Sequence, residues 1–407
     1  MKRIALVLVM ATIAVVVFAQ SITLAQGKVE IDKVLKTYAA EWGKANKVQV
    51  NIKTIGGGQD MQTELKAMYA AGDLPDIFTV AGPAEVADWE AVLTDLTGER
   101  WVNETAVPYR HKNKVVGFPV AVEGWGMAYN ADVLAQAGVD PLKLNNLAAY
   151  RDAFAKIDAQ KEKLGLKSVV SMAASAEMFW VTSHHNVNSY LSNGLKYEDK
   201  SVADAAVQGK VDAKRLADYA DWVELLFKYA DKAVLTTGNY DAQVGAFASG
   251  KAAFLHQGNW VDPNLKAANV GFKTAFAPHG SMSSQTDGIF VSPPSFYVIN
   301  SGSKNVATAK KFLNDLVFTE AGQNFQVVEA GMIPAFKNIK LKPTGPLSQS
   351  VQDWAAKGKI YNWNQYMLPN DFRNNSLAPI YNQFATGAIS KSRFMELFST
   401  AIASLKR

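Results

Sequence analysis

Residues 21–80 alternate element types in an order that few folds accommodate. "SITLAQG" (21–27) reads as a strand, after which Ile31, Val34, Leu35, Tyr38 and Trp42 recur at helical spacing. "KVQVNIK" (47–53) alternates apolar and polar residues as a half-buried strand does. A glycine run at 56–58 breaks the chain, Met61, Leu65, Met68 and Tyr69 mark a second helix, and "LPDIFTV" (74–80) is a short buried strand. The β-α-β-α-β order predicts an open α/β sheet with helices on both faces. Ligands of such sheets sit beyond the carboxyl ends of the strands. The loops 26–30, 56–60 and 81–85 are therefore expected to share one rim.

Ahead of this unit, Lys2 and Arg3 precede an apolar run from Ile4 to Phe18 and then Ala19-Gln20. These are the parts of a secretory signal. Cleavage is expected after Val17-Phe18-Ala19 rather than after Thr23-Leu24-Ala25, which would destroy the first strand. The run is shorter than the ~20 residues of a spanning helix. The chain has no cysteine, which excludes disulfides, thiolate metal sites, a cysteine nucleophile and a lipidated cysteine anchor. An exported chain with no anchor points to a periplasm. Without Lys2 and Arg3, 40 basic residues stand against 37 acidic ones, interspersed and without a basic–aromatic stripe, so no nucleic-acid partner is expected. About 388 mature residues exceed one comfortable core, and two lobes are expected.

Residues 140–250 are mostly helical, with Leu216, Tyr219, Val223, Leu226, Phe227 and Ala230 on one face. "KAAFLHQG" (251–258) and "SFYVINS" (295–301) return to strand character. Residues 306–331 read as two helices separated near Thr319-Glu320, and 345–407 as helical with an insert, "YNWNQYMLPNDFRNN" (361–375). With no linker visible, the chain is expected to cross between lobes more than once.

Catalytic signatures are sparse. The adjacent His184 and His185 diverge by ~100° on a helix and cannot share a metal, so they read as a solvated or lobe-surface pair. No G-x-S-x-G, H-E-x-x-H or Walker A sequence occurs. Ser301-Gly-Ser-Lys304 matches S-x-x-K without its partner motifs and reads as a turn. Neither a metal nor a cofactor is implied. The remaining enzymatic reading is a glycosidase, which needs only two carboxylates, with Glu85, Glu123 and Asp287 as candidates.

"AGDLPDIFTV" (71–80), "GFPVAVEGWGMAYNADVLAQAGVD" (117–140), "GKAAFLHQGNW" (250–260) and "SGSKNVATAKKFLNDLVFTEAGQNF" (301–325) together resemble the carbohydrate-binding proteins of bacterial ABC importers. The nearest type is the family 1 extracellular solute-binding proteins, which include the maltose-binding protein. The resemblance implies a two-lobed periplasmic-binding-protein fold, two open α/β domains joined by hinge crossings with a ligand cleft between them. It implies capture of a sugar by hinge closure and delivery, by a monomer, to the permease of an ABC importer. Crossings are expected near Ala121–Glu123, Ile289–Pro293 and Pro334–Lys340, with Pro293-Pro294 stiffening the second. The lobes would then comprise 20–122 with 292–335, and 123–291 with 336–407. A binding protein for a non-sugar solute is the other reading.

Sugars present flat apolar faces edged by hydroxyls, so aromatic rings are expected to stack on them while charged and amide groups bind the edges. The resemblance places a stacking tryptophan at Trp260, after a strand and Gly-Asn, and a cleft carboxylate at Glu123 after "PVAV". Trp125, on the same side of the chain, reads equally as a stacking or a core residue. Lys28 and Glu30 occupy the first strand–helix loop, where Glu30 also suits a helix start. Asp60 reads as a ligand contact or a helix cap. Gly82, Pro83 and Glu85 follow "PDIFTV", the glycine allowing close backbone approach. Trp180, Trp363, Asp287 and Asp371 complete the candidate set, whereas Trp42 and Trp222 lie in helical apolar stripes and read as core or lobe surface.

Overall fold

The computed structural model describes residues 20–56 and 58–406; the signal sequence read in 1–19 lies outside them. Five strands come first: β1 (Gln20–Gln26), β2 (Val48–Thr54), β3 (Ile77–Val80), β4 (Tyr109–His111) and β5 (Lys114–Pro119). Seven follow: β6 (Glu123–Asn130), β7 (Ser168–Ser171), β8 (Ala252–Gly258), β9 (Thr274–Ala277), β10 (Ile289–Ser292), β11 (Phe296–Ile299) and β12 (Ile360–Tyr361). They form two sheets, ordered β2-β1-β3-β11-β5-β4 and β12-β10-β6-β8-β7, with β9 against β6.

The first sheet has apolar side chains on both faces because both are covered. Ile22, Leu24, Ile77, Val115 and Ile299 enter one core, while their neighbours Ala25, Phe78, Val116 and Val298 enter the other. The expected β-α-β-α-β unit is present, with helices at Asp32–Asn46 and Met61–Ala70. β1 runs parallel to β2 and β3, which brings the loops after all three to one edge. In the second sheet, Ala128, Leu255, Ile289 and Val291 face one core and Met127, Ala253, Phe254 and Val170 another.

The chain passes between sheets at 120–122, at 293–295 and again between 330 and 346. Only Pro119 of "PVAV" (119–122) lies in a strand, since β5 ends there and β6 begins at Glu123, and 120–122 is the crossing. The crossings lie side by side, for the Val120 amide donates to the Ser295 carbonyl (3.1 Å) and the Val122 amide to that of Ile333 (2.9 Å). The third crossing thus pairs at Ile333, just ahead of the expected 334–340. Residues 306–329 do form helices broken at Thr319, Val306–Phe318 and then Glu320–Asn324 continuing into a π-helical turn. Ser301–Lys304 is a turn, as expected.

Candidate functional site

A cavity of about 300 Å³ lies between the two sheets, lined by residues from both. The three rim loops supply Gly27, Lys28, Glu30, Gly56, Asp60, Ala81 and Glu85, and the second half supplies Glu123, Trp180, Trp260 and Trp363. Of the candidates read from sequence, Lys28, Glu30, Asp60, Glu85, Glu123, Trp180, Trp260 and Trp363 come together here.

β8 delivers Trp260. The strand is buried throughout, and Asn259–Val261 forms a short 3-10 turn at its end. Asn259 pins that turn, accepting from the Gly124 amide (2.9 Å) and donating to Ser348 Oγ (3.0 Å). The indole Nε1 donates to Gln257 Oε1 at 3.0 Å, which fixes the ring edge. Trp180 and Trp363 meet Trp260 edge-on, with centroids 6.4 and 6.2 Å away. His185 lies among all three tryptophans. Burial, together with His256 and Lys28, holds its imidazole well below the ordinary pKa, so it is a neutral ring at pH 7.

Charged groups line the same cavity. Lys28 Nζ bonds both Glu123 and Glu30, the latter at 2.7 Å. Burial pulls the ammonium pKa down, but the two carboxylates outweigh it and leave it raised. Burial raises Glu123 against the opposing pull of Lys28. Asp60 is both a helix cap and a wall group: it accepts from the Gln62 amide (3.0 Å), from Asn370 (3.1 Å) and from Asn374 (3.0 Å).

Five candidates lie off the cavity. Trp125 is fully buried behind it, stacked on Phe290 at 4.3 Å and 6° in register across β6 and β10, so it is the floor under His185. Gly82 faces Tyr366 rather than the cavity; a Cβ there would stand 2.5 Å from that of Tyr366. Pro83 opens the helix Pro83–Trp89, where its missing N–H costs nothing. Asp287 is 65 % exposed and pairs with Lys359 at 2.7 Å on the outer surface. Asp371 is exposed on the far side of its turn.

Sequence reasoning missed Tyr240, Tyr366, Asn370, Arg373 and Asn374, all on the cavity wall. Asn370, Arg373 and Asn374 stand at i, i+3 and i+4 and share a face that Asp371 does not. The histidine pair is corrected too: His184 and His185 line the cavity on a π-helical turn instead of facing solvent. Their side chains do diverge, one to Arg373 and the other to the tryptophans. His256 is buried at the floor. No group of three or more metal-ligating side chains occurs among the described residues, nor any helix long and apolar enough to cross a membrane.

Two α/β halves, hinged by adjacent crossings and closing on an aromatic and charged cavity, define a two-lobed ligand-binding protein. The sequence profile of bacterial extracellular solute-binding proteins matches residues 37–359, and the chain belongs to that family, whose members are exported. It is similar to the multiple sugar-binding protein of Streptococcus mutans, 23% identical over 363 residues that cover 83% of this chain and 80% of that one. Its fold is similar to that of the solute-binding protein RafE in complex with raffinose (TM-score 0.76, 17% identity, 95% of this chain and 100% of the other). It is equally similar in fold to a Bacillus licheniformis sugar transporter protein in complex with stachyose (TM-score 0.75, 17% identity, 95% and 100%). These relatives are binding proteins rather than enzymes.

Proposed function

We propose that the protein captures a mono- or oligosaccharide between its lobes, 20–122 with 292–335 and 123–291 with 336–407, and delivers it to the permease of an ABC importer. The observation that carries this reading is that three tryptophans, Trp180, Trp260 and Trp363, line one cavity together with Lys28, Glu30, Glu123 and Asp60. Flat rings match the apolar faces of a pyranose, and the polar wall matches its hydroxyl edge. An unmatched polar group in a closed site is costly, which yields stereochemical selectivity. The relatives named for binding multiple sugars, raffinose and stachyose support the same ligand class.

Catalysis is not part of the proposal. Glu30 and Glu123 share one ammonium, Asp60 is held by two asparagines and Glu85 by Arg373. A glycosidase needs one carboxyl free to act as an acid and another free to attack or to activate water. We place the mature protein in the periplasm as a monomer, exported by a cleaved signal and not lipid-anchored. A thermal-shift screen against mono- and oligosaccharides tests the reading, because a ligand raises stability by mass action. At least one sugar is expected to raise the melting temperature by several degrees. Incubation with oligosaccharides is expected to release no new reducing ends.

A further inference from the structure

Arg373 carries an interaction that the sugar reading does not use. Its side chain is 1% exposed, and four of its five N–H donors are committed to protein: to Leu368 carbonyl oxygen (3.3 Å), His184 Nδ1 (2.8 Å), Glu85 Oε1 (3.2 Å) and Asn370 Oδ1 (3.3 Å). Since a guanidinium only donates, His184 Nδ1 must accept, and the imidazole proton sits on Nε2. His184 Nε2 donates it to Asn374 Oδ1, 2.6 Å away, and the Asn374 amide donates to Asp60 Oδ2 at 3.0 Å. On the other lobe, Gln62 joins the two ends, its backbone amide donating to Asp60 Oδ1 (3.0 Å) and its side chain to Glu85 Oε2 (2.8 Å). The bonds close a ring: Glu85, Arg373, His184, Asn374, Asp60, Gln62 and back to Glu85.

The ring crosses the cleft twice, at Arg373–Glu85 and at Asn374–Asp60. Asn370 adds a further bond to Asp60 next to the ring, whereas the interlobe pair beside the crossings differs. Glu123 begins one residue after Val122, which is pinned in the crossing, so rotation about the crossings moves the Lys28–Glu123 pair little. Arg373 and Asn374 stand on the insert, far along the chain from every crossing, and their links to Glu85 and Asp60 must break when the lobes part. Burying an arginine and a carboxylate together returns about what their desolvation costs. Such a pair does not shut an empty cleft, but it penalises a closed cleft in which one partner is missing.

Resting on the sugar reading, we propose that Arg373, positioned by His184, is the closure latch of this protein and sets how long the ligand stays bound. The latch completes only in the closed form, so it acts on ligand release and leaves association unchanged.

The absence of native cysteines allows spin labels on Tyr69→Cys and Leu142→Cys, two exposed positions on opposite lobes. Interlobe distances are read by pulsed electron resonance with and without the best sugar of the panel, alongside dissociation rates by stopped-flow tryptophan fluorescence. Glu85→Gln and Arg373→Met are each expected to speed dissociation at least tenfold and to reduce the closed fraction, with association rates unchanged. The double variant is expected to be no faster than the worse single one, because both remove the same link. Sugar-bound single variants that close and release as the wild type does, or effects that multiply in the double, overturn the latch alone. A wild type whose distances no panel sugar shifts overturns the sugar reading and the latch with it. A variant that merely misfolds is recognised by its melting curve, and Glu85→Gln, which keeps an acceptor for the Ala81 amide (2.8 Å), supplies the reading if Arg373→Met fails to fold.

Discussion

The indole of Trp260 lies directly over Gly258, and a methyl group at Gly258 would collide with three of its ring carbons. The backbone of Gly258 is extended, with φ −113° and ψ −178°, so glycine is needed there for space and not for torsion. Gly258→Ala is therefore expected to tilt the ring out of its seat while leaving β8 intact. Sugar affinity should fall about tenfold with a melting temperature within ~3 °C of wild type, since one displaced anchor acts on binding first. Titration calorimetry with the best panel sugar checks it; full affinity in Gly258→Ala would mean the ring's seat does not matter.

Among the described residues, Lys28 is the only cation bonded to Glu30 and Glu123. Lys28→Met leaves two largely buried carboxylates without a partner, a change that costs about 3 kcal/mol when one member of a buried pair is removed. Adding Glu123→Gln should recover part of the loss. Urea denaturation of the two variants measures both steps, and a Lys28→Met protein as stable as wild type contradicts the arrangement.

Four histidines are held as neutral rings, His256 and His279 in the core and His184 and His185 half-buried on the cavity wall. Burial lowers His256 to about 3 and holds His184, His185 and His279 well below 6.5. The unfolded chain takes up protons near pH 6.5 that the folded chain refuses, so stability is full above that pH and declines as pH falls below it. For His256 alone the loss between pH 6.5 and pH 5 is about 2 kcal/mol. Melting temperatures over pH 5–8 should fall steeply on the acid side, and His256→Gln should flatten the slope. A flat profile in the wild type would place these rings in solvent.

Much of the scaffold was legible because it is written in local patterns. Alternation over 47–53 and helical spacing over 31–42 needed no knowledge of the rest of the chain, and the parallel order they imply brings the three rim loops together. Trp260 was named through the family resemblance, which places a stacking tryptophan after a strand and Gly-Asn, and it lines the cavity. What escaped depends on distant packing. Trp125 and Trp363 look alike in sequence, yet cross-strand stacking on Phe290 hides the first and the cavity takes the second. Asp371 was read in place of Asn370 and Asn374 because only the turn's orientation decides which face points inward. His184 meets Arg373 across 189 residues, a pairing that no spacing rule contains.

Trp363 sets a further test of the aromatic wall. It is 3% exposed and its ring meets Trp260, His185 and Tyr366, so it serves both wall and core. Trp363→Ala should lower stability by about 3 kcal/mol through the void it leaves and weaken sugar binding as well. Trp363→Phe should restore most of the stability, as thermal melts of the pair would report.

The central claim is that one cavity binds sugar and that Trp260 anchors it. Its most direct test is titration calorimetry of wild type and Trp260→Ala against a panel of mono- and oligosaccharides. The account predicts at least one sugar bound by the wild type with micromolar or tighter affinity, about 8 kcal/mol or more. It predicts a loss of about 2 kcal/mol or more in Trp260→Ala, with the melting temperature of the ligand-free protein little changed. A folded Trp260→Ala variant that binds the same sugar with unchanged affinity contradicts it.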